Sequence, residues 1–209
     1  MIVKSFITGP LATNSYVIYD NDKAIVIDAG GDMKEVIDFI RKNKLNLSYI
    51  IATHGHFDHV MGVNQLKREF PSSIFLINER DLGLLKRASS MALSLLNLMI
   101  SDVTLPDGYV KEGDEIRLGE GKLKIVETPG HTMGSICILA NGYIFTGDTL
   151  FYGTVGRTDL GGSEKLLRDS LERLKGLQDE LIVYPGHGPF TILGYEKVKN
   201  PFLTIDILP

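Results

Sequence analysis

Three of the chain's five histidines, His54, His56 and His59, fall within six consecutive positions, in the run "IIATHGHFDHVMG", and Asp58 stands among them. His131 and His187 come later, each directly after a Pro-Gly pair, in "KIVETPGHT" and "LIVYPGHG". Asp148 closes "YIFTGD" in a similar setting. Imidazole and carboxylate together are the donors of zinc, iron and manganese sites, whereas an all-oxygen set would favour calcium or magnesium. Thiolate ligation is excluded as a scheme because Cys137 is the single cysteine. Residues 54, 56, 58 and 59 cannot all point one way from a helix, but a loop can splay them. Seven groups exceed the four or five positions of one zinc, so the count predicts two ions. The expected division is one set of three histidines and one mixing histidine with aspartate, with a carboxylate free to bridge.

These residues need elements that bring them together. Each follows an apolar, β-branched run, and ten such runs read as strands: "MIVKSFI", "SYVIY", "AIVID", "YIIAT", "SIFLIN", "EIRL", "LKIVET", "ICILA", "YIFTGD" and "LIVYPG". If four of these strand ends share one edge, five imidazoles and two carboxylates converge in one cleft. Asp148 alone would read as a turn residue; its "TGDTLF" setting is what adds it to the cluster. Apolar residues at three- and four-residue spacing predict helices over 33–42, 59–70 and 163–177, the last with Ser163 as N-cap, and a fourth helical region over about 79–100. Its segment "MALSLLNLMI" is expected to be a core helix; the alternatives are a lid over the site or a contact with a second copy of the chain. The "GEG" turn at Gly119 to Gly121 and the "NG" turn at Asn141 and Gly142 predict hairpins and a largely antiparallel arrangement. Strands outnumbering helices predict layered sheets with helices outside.

The 209 residues, 44% hydrophobic and 23% charged, suit one compact domain over 1–209 with no linker or repeat. A net charge of -4 without a basic block argues against nucleic acid as partner, which leaves a small-molecule substrate. The most apolar stretch, residues 91–100, is about half of a membrane helix, so no membrane partner is expected. A single cysteine, and an N-terminus lacking a basic segment followed by an apolar one, read as cytoplasmic.

The motif "THGHFDH" resembles the H-x-H-x-D-H signature of the metallo-β-lactamase superfamily, and "PGHTMGS", "TGDTLF" and "YPGHG" are similar to its remaining ligand motifs, in order. The resemblance runs from "LATNSYVI" and "AIVIDAG" to His187. It implies an α+β fold, a four-layer αββα sandwich of two mixed sheets with the site at their edge. It implies a first metal on His54, His56 and His131, a second on Asp58, His59 and His187, and Asp148 bridging. Two divalent ions are implied, zinc first, with iron or manganese accepted by the same donors.

Within the superfamily the glyoxalase II (hydroxyacylglutathione hydrolase) branch is the most similar. "GDTLFYGTVGRTDLGG" resembles its loop after the bridging aspartate and puts Arg157 where that branch has a glutathione-contacting lysine. Only residues 188–209 follow His187, so the helical glutathione-binding domain of glyoxalase II is not expected. Arg157 is read as a substrate contact or, with Asp159, as a loop-stabilising ion pair.

The expected chemistry is hydrolysis of a thioester or ester by a metal-bound hydroxide, with Asp58 as both ligand and catalytic residue. Cys137, inside the apolar "SICILA", is expected to be a buried small hydrophobe and not a nucleophile. "GRTD" also resembles the persulfide dioxygenases of this superfamily, which implies the alternative of one iron at His54, His131 and Asp148. A metal-binding scaffold without catalysis would need a site with no open position, which seven ligands on two ions do not make.

Overall fold

The computed structural model describes residues 1–204. Its first half runs β1 (Ile2–Thr8), β2 (Thr13–Asp20), β3 (Lys23–Ile27), α1 (Lys34–Lys42), β4 (Asn46–Ile51), α2 (Phe57–Val60), α3 (Val63–Glu69), β5 (Ile74–Ile77), α4 (Leu82–Leu85), α5 (Ala88–Leu96) and β6 (Gly108–Tyr109). The second half runs β7 (Glu115–Leu118), β8 (Gly121–Glu127), β9 (Ile136–Ala140), β10 (Tyr143–Gly147), β11 (Leu150–Phe151), β12 (Thr154–Val155), α6 (Glu164–Lys175), β13 (Ile182–Pro185), β14 (Thr191–Ile192), α7 (Leu193–Lys199) and α8 (Pro201–Thr204). All ten predicted strands are present. The two-residue strands and the two helices after His187 were not predicted, because such short elements carry no readable period.

The strands form two six-stranded sheets, ordered β1-β2-β3-β4-β5-β6 and β14-β13-β10-β9-β8-β7, with β11 and β12 as a separate ribbon. Both sheets are mixed, with antiparallel pairs in the majority over the two, as expected, and parallel pairs among them. The predicted hairpins β7–β8 and β9–β10 are antiparallel. However, β3–β4, β4–β5 and β10–β13 pair in parallel, because α1, α2–α3 and α6 carry the chain back across the sheet before the next strand starts.

Alternation along the strands builds the layers. Val17, Val26, Ile50 and Phe75 face outward and pack with Val36 and Ile40 of α1 and Val63 and Leu66 of α3. Their neighbours Tyr16, Ile18, Ile25, Ile27 and Ile51 face the other way, onto Ile125, Ile136, Ile138 and Phe145 of the second sheet. On the far side of that sheet Cys137, Ile144 and Val183 lie under Leu167, Leu171 and Leu174 of α6 and Leu193 of α7. Three apolar clusters therefore separate four layers, the αββα order that the resemblance implied. Each fully buried Leu or Ile contributes about 1.5–3 kcal/mol.

Two helices differ from expectation. The one predicted over 59–70 breaks at Met61 and Gly62, where Gly62 N–H donates to Ala29 O at 2.9 Å. A β-carbon at Gly62 would lie 2.5 Å from Gly31 O, so the chain turns here against the loop after β3. The region over 79–100 divides into a 3-10 turn at Glu79–Asp81, then α4 and α5, and Asn97 ends α5 in the left-handed conformation at φ 52°. Only one side of the Leu- and Met-rich segment enters the core, through Ala92, with Met91, Leu98 and Ile100 against it. Leu93, Leu95, Leu96 and Met99 are exposed, which corrects the reading of this segment as a core helix throughout. Helix α6 starts as predicted, with Ser163 Oγ accepting from Leu166 N–H at 3.4 Å. Among the described residues no helix is long and apolar enough to cross a membrane.

Candidate metal centre

Five chain segments meet at one edge of the sandwich. His54 and His56 lie in the turn between β4 and α2, where His56 is still extended at φ -68° and ψ 145°. Asp58 and His59 are in the first turn of α2. The splaying of this motif is thus half loop and half helix, where a loop alone had been expected. His131 sits between β8 and β9, Asp148 directly after β10, and His187 after β13. All seven predicted metal-ligand candidates come together. Five are buried and Asp148 is partly so, its side chain 12% exposed, while the His187 side chain, at 27% exposure, marks the open face.

The donor atoms form overlapping groups. His54, His56 and His131 make one, Asp58, His59 and His187 another, and His54, His59 and Asp148 lie between, each group with its ligand atoms within 4.8 Å of one another. His56 Nδ1 is 2.9 Å from His131 Nε2, and His59 Nε2 is 3.2 Å from His187 Nε2. Asp148 reaches both sides, with Oδ2 at 3.5 Å from His131 Nε2 and Oδ1 at 3.4 Å from His59 Nε2. Asp58 Oδ2 lies 3.3 Å from His187 Nε2.

The rings are held from behind. His131 Nδ1–H donates to Arg157 O at 2.7 Å, His187 Nδ1–H to Leu11 O at 3.1 Å, and His59 Nδ1–H to Asp28 Oδ2 at 2.8 Å. His54 Nδ1–H reaches Thr53 Oγ1 at 3.1 Å, whose own hydroxyl donates to Asp28. In each of these four rings the tied Nδ1 turns Nε2 inward, so that the neutral ring would offer its lone pair there, the tautomer that a metal requires. His54 Nε2, His56 Nε2 and Asp148 Oδ1 are buried without any hydrogen-bond partner. Buried polar atoms of a folded chain are otherwise satisfied, so these orphans and the facing imidazole nitrogens fit cations as the missing partners.

Electrostatics divides the two sides. Burial, helped by His131 and His59, pushes the His56 imidazole down to about 4. Burial likewise takes His54 well below the usual range, and both rings are therefore neutral donors. Burial opposes charge on His59 too, but Asp148, Asp28 and Asp58 outweigh it and hold this imidazole at about 10. Asp58 resists the upward push of burial because His59 and His187 hold its carboxyl well below the usual range. Neutral His54 and His56 thus face a side on which Asp58 and Asp148 gather around His59.

Close backbone approach makes the cluster possible. A β-carbon at Gly186 would lie 2.2 Å from Asp148 Oδ1, and one at Gly147, with φ at +47°, would lie 2.5 Å from Thr53 Oγ1. Strand β2 holds the His187 turn: Asn14 Nδ2 donates to Pro185 O and Gly188 O, and the Tyr16 hydroxyl to Pro185 O at 2.6 Å. Asp28 itself has φ at +56°, an uncommon conformation for a non-glycine, and its carboxylate is fixed by Thr53 N–H at 2.7 Å. Sequence reasoning missed Asp28 as a site residue, although it closes "AIVID" as Asp148 closes "YIFTGD", and that shared signal would have found it. The Arg157 backbone supports His131, while its guanidinium forms a two-pronged pair with Asp159, both side chains being more than half exposed. Cys137 is away from the centre, buried, and burial pushes its thiol up to about 12, which fits the expected inert role.

A four-layer sandwich with this His/Asp cluster at its edge matches the model of the metallo-beta-lactamase superfamily over residues 8–187, and the chain belongs to that superfamily. The crystal structure of BLEG-1 B3 metallo-beta-lactamase has a TM-score of 0.90 at 32% identity, covering 97% of this chain and 100% of that one. TTHA1623, in a di-iron-bound form, gives 0.88 at 34% identity, covering 96% and 100%. ETHE1 from Myxococcus xanthus gives 0.79 at 29% identity, covering 96% and 84%. Among curated proteins, hydroxyacylglutathione hydrolase GloC of Haemophilus influenzae is 38% identical over 196 residues, 91% of this chain and 92% of that protein, and the chain falls on the glyoxalase II-like branch.

Proposed function

We propose that this protein is a dinuclear metal-dependent hydrolase that cleaves a thioester or ester of a small molecule, in the manner of glyoxalase II. The observation that carries the reading is the pair of donor sets reaching one another through Asp148. His54, His56 and His131 would hold one divalent cation and Asp58, His59 and His187 the other, with Asp148 shared between them. Zinc, iron and manganese all suit this set. When bound, such cations supply a hydroxide nucleophile near neutral pH and polarise the acyl carbonyl.

The chain's own groups do the rest. Asp58, ionised and receiving the Thr13 hydroxyl at 3.4 Å, presents a carboxylate that can accept a hydrogen bond from the attacking water and orient it. Substrate enters over His187, the exposed member of the cluster. Arg157, at the rim, contacts an anionic part of the substrate when it exchanges Asp159 for that group. The partner is a small molecule, and neither nucleic acid nor membrane is required.

Purified protein loaded with zinc, iron or manganese is assayed on acyl-glutathione thioesters, simple esters, lactones and a β-lactam. Thioester or ester turnover, abolished by chelator and restored by metal, is the expected result; inactivity on all acyl substrates would overturn the reading. The likeness to ETHE1 supports a second reading, persulfide oxidation at one iron held by His54, His131 and Asp148. Oxygen consumption with glutathione persulfide, independent of His59 and His187, is its signature.

A further inference from the structure

Asp81 is a fully buried carboxylate outside the seven-residue cluster, in the 3-10 turn that follows β5. Its Oδ2 accepts from Gly55 N–H at 2.8 Å and from the Thr132 hydroxyl at 2.7 Å, and its Oδ1 accepts from Gly134 N–H at 2.7 Å. Gly55 separates His54 from His56, and Thr132 directly follows His131. One carboxylate therefore binds the tips of both loops whose imidazoles face each other at 2.9 Å. Both loops also press against it: a β-carbon at Gly134 would lie 2.6 Å from Asp81 Cγ, and one at Gly55 2.9 Å from Asp81 O. A backbone bond from Ile136 N–H to Thr53 O at 2.9 Å joins the loops at their roots. Asp81 joins them where the ligands are.

We propose that Asp81 is the positioning residue of the three-histidine half, its carboxylate setting the separation of His54 and His56 from His131 and thereby that half's affinity for a divalent cation. It touches neither cation nor substrate. A neutral amide at this position would set an NH2 against one of the donors that now point at it, releasing one loop tip. The inference rests on the reading of these three histidines as a metal site. It is specific to one half, because the Asp58, His59 and His187 half is supported by other groups: Asp28 behind His59 and Leu11 O behind His187.

The test is titration of the metal-free chain with Zn2+ against a chromophoric chelator, repeated with Co2+ by visible absorption. His56→Ala identifies which binding step belongs to the three histidines. Asp81→Asn is expected to weaken that step about 10–100-fold and leave the other unchanged. Thr132→Ala, which removes one of the three donors, weakens the same step less, and Thr132→Ser, which keeps the hydroxyl, restores it. This Thr132 pair stands as the test if Asp81→Asn does not fold. Equal affinities in wild type, Asp81→Asn and Thr132→Ala would overturn the role of Asp81 while leaving the metal site intact. Equal loss in both steps, together with a lower melting temperature, would reduce Asp81 to a general structural residue. Failure of the wild-type chain to bind at the three histidines would instead overturn the proposed function, and this inference with it.

Discussion

Two imidazoles of the centre are tuned in opposite directions, and this gives the metal-free protein a defined pH response. Burial holds His56 at about 4 in the folded chain, below the ordinary imidazole value of 6.5. As pH falls from 6.5 towards 4 the unfolded chain takes up the proton first, so folded stability declines. His59, held at about 10, contributes its full stabilisation below 6.5 and loses it as pH rises from there towards 10. Metal-free protein is thus expected to melt highest near pH 6.5 and lower at pH 5 and at pH 9, checked by a melting series in chelator; a flat profile would contradict these shifts. Asp58→Asn removes both a donor of the mixed half and the group proposed to orient the attacking water. It is expected to lower kcat by about 10²–10⁴-fold and to lose one metal, read by steady-state kinetics with elemental analysis. Full activity with both metals would refute the assignment.

At the scale of elements, the strand ends were legible because chemistry and pattern coincided: an apolar run, a turn, then a histidine or aspartate. The seven clustered residues were found that way, and the excess of strand runs over helices pointed to the layers. What was not legible depends on partners distant in sequence. Parallel pairing of β3 with β4 is invisible in either strand alone, and the break at Gly62 exists because of the loop after β3. Asp81 gave no sign in the sequence, since its three donors come from two remote loops. Helices α7 and α8 were missed for their length, yet they hold the β11–β12 ribbon beside the centre. Asn200 between them is fully buried and donates to Thr154 O at 3.1 Å and to Glu196 Oε2 at 2.9 Å, while Glu196 also receives Gly153 N–H at 2.9 Å. Asn200→Ala leaves these acceptors short of a donor and is expected to cost about 1–3 kcal/mol in urea unfolding. A change within error would show the ribbon to be held otherwise.

For the whole molecule, the centre is a join as well as a site. Its candidate ligands come from both sheets, His54 following β4 of the first and His131, Asp148 and His187 following strands of the second. Cations bound there would link the two halves of the sandwich in the folded chain alone and so raise apparent stability by mass action. Chelator treatment is expected to lower the melting temperature and metal to restore it, with the size of the shift growing with free metal; an unchanged melting temperature would contradict this link. The central claim is that seven residues form two cation sites joined at Asp148. Elemental analysis of untagged protein, purified without chelator, tests it most directly. The account predicts close to two transition-metal ions per chain, falling towards one in His59→Ala. One iron per chain, retained when His59 and His187 are replaced, would contradict it.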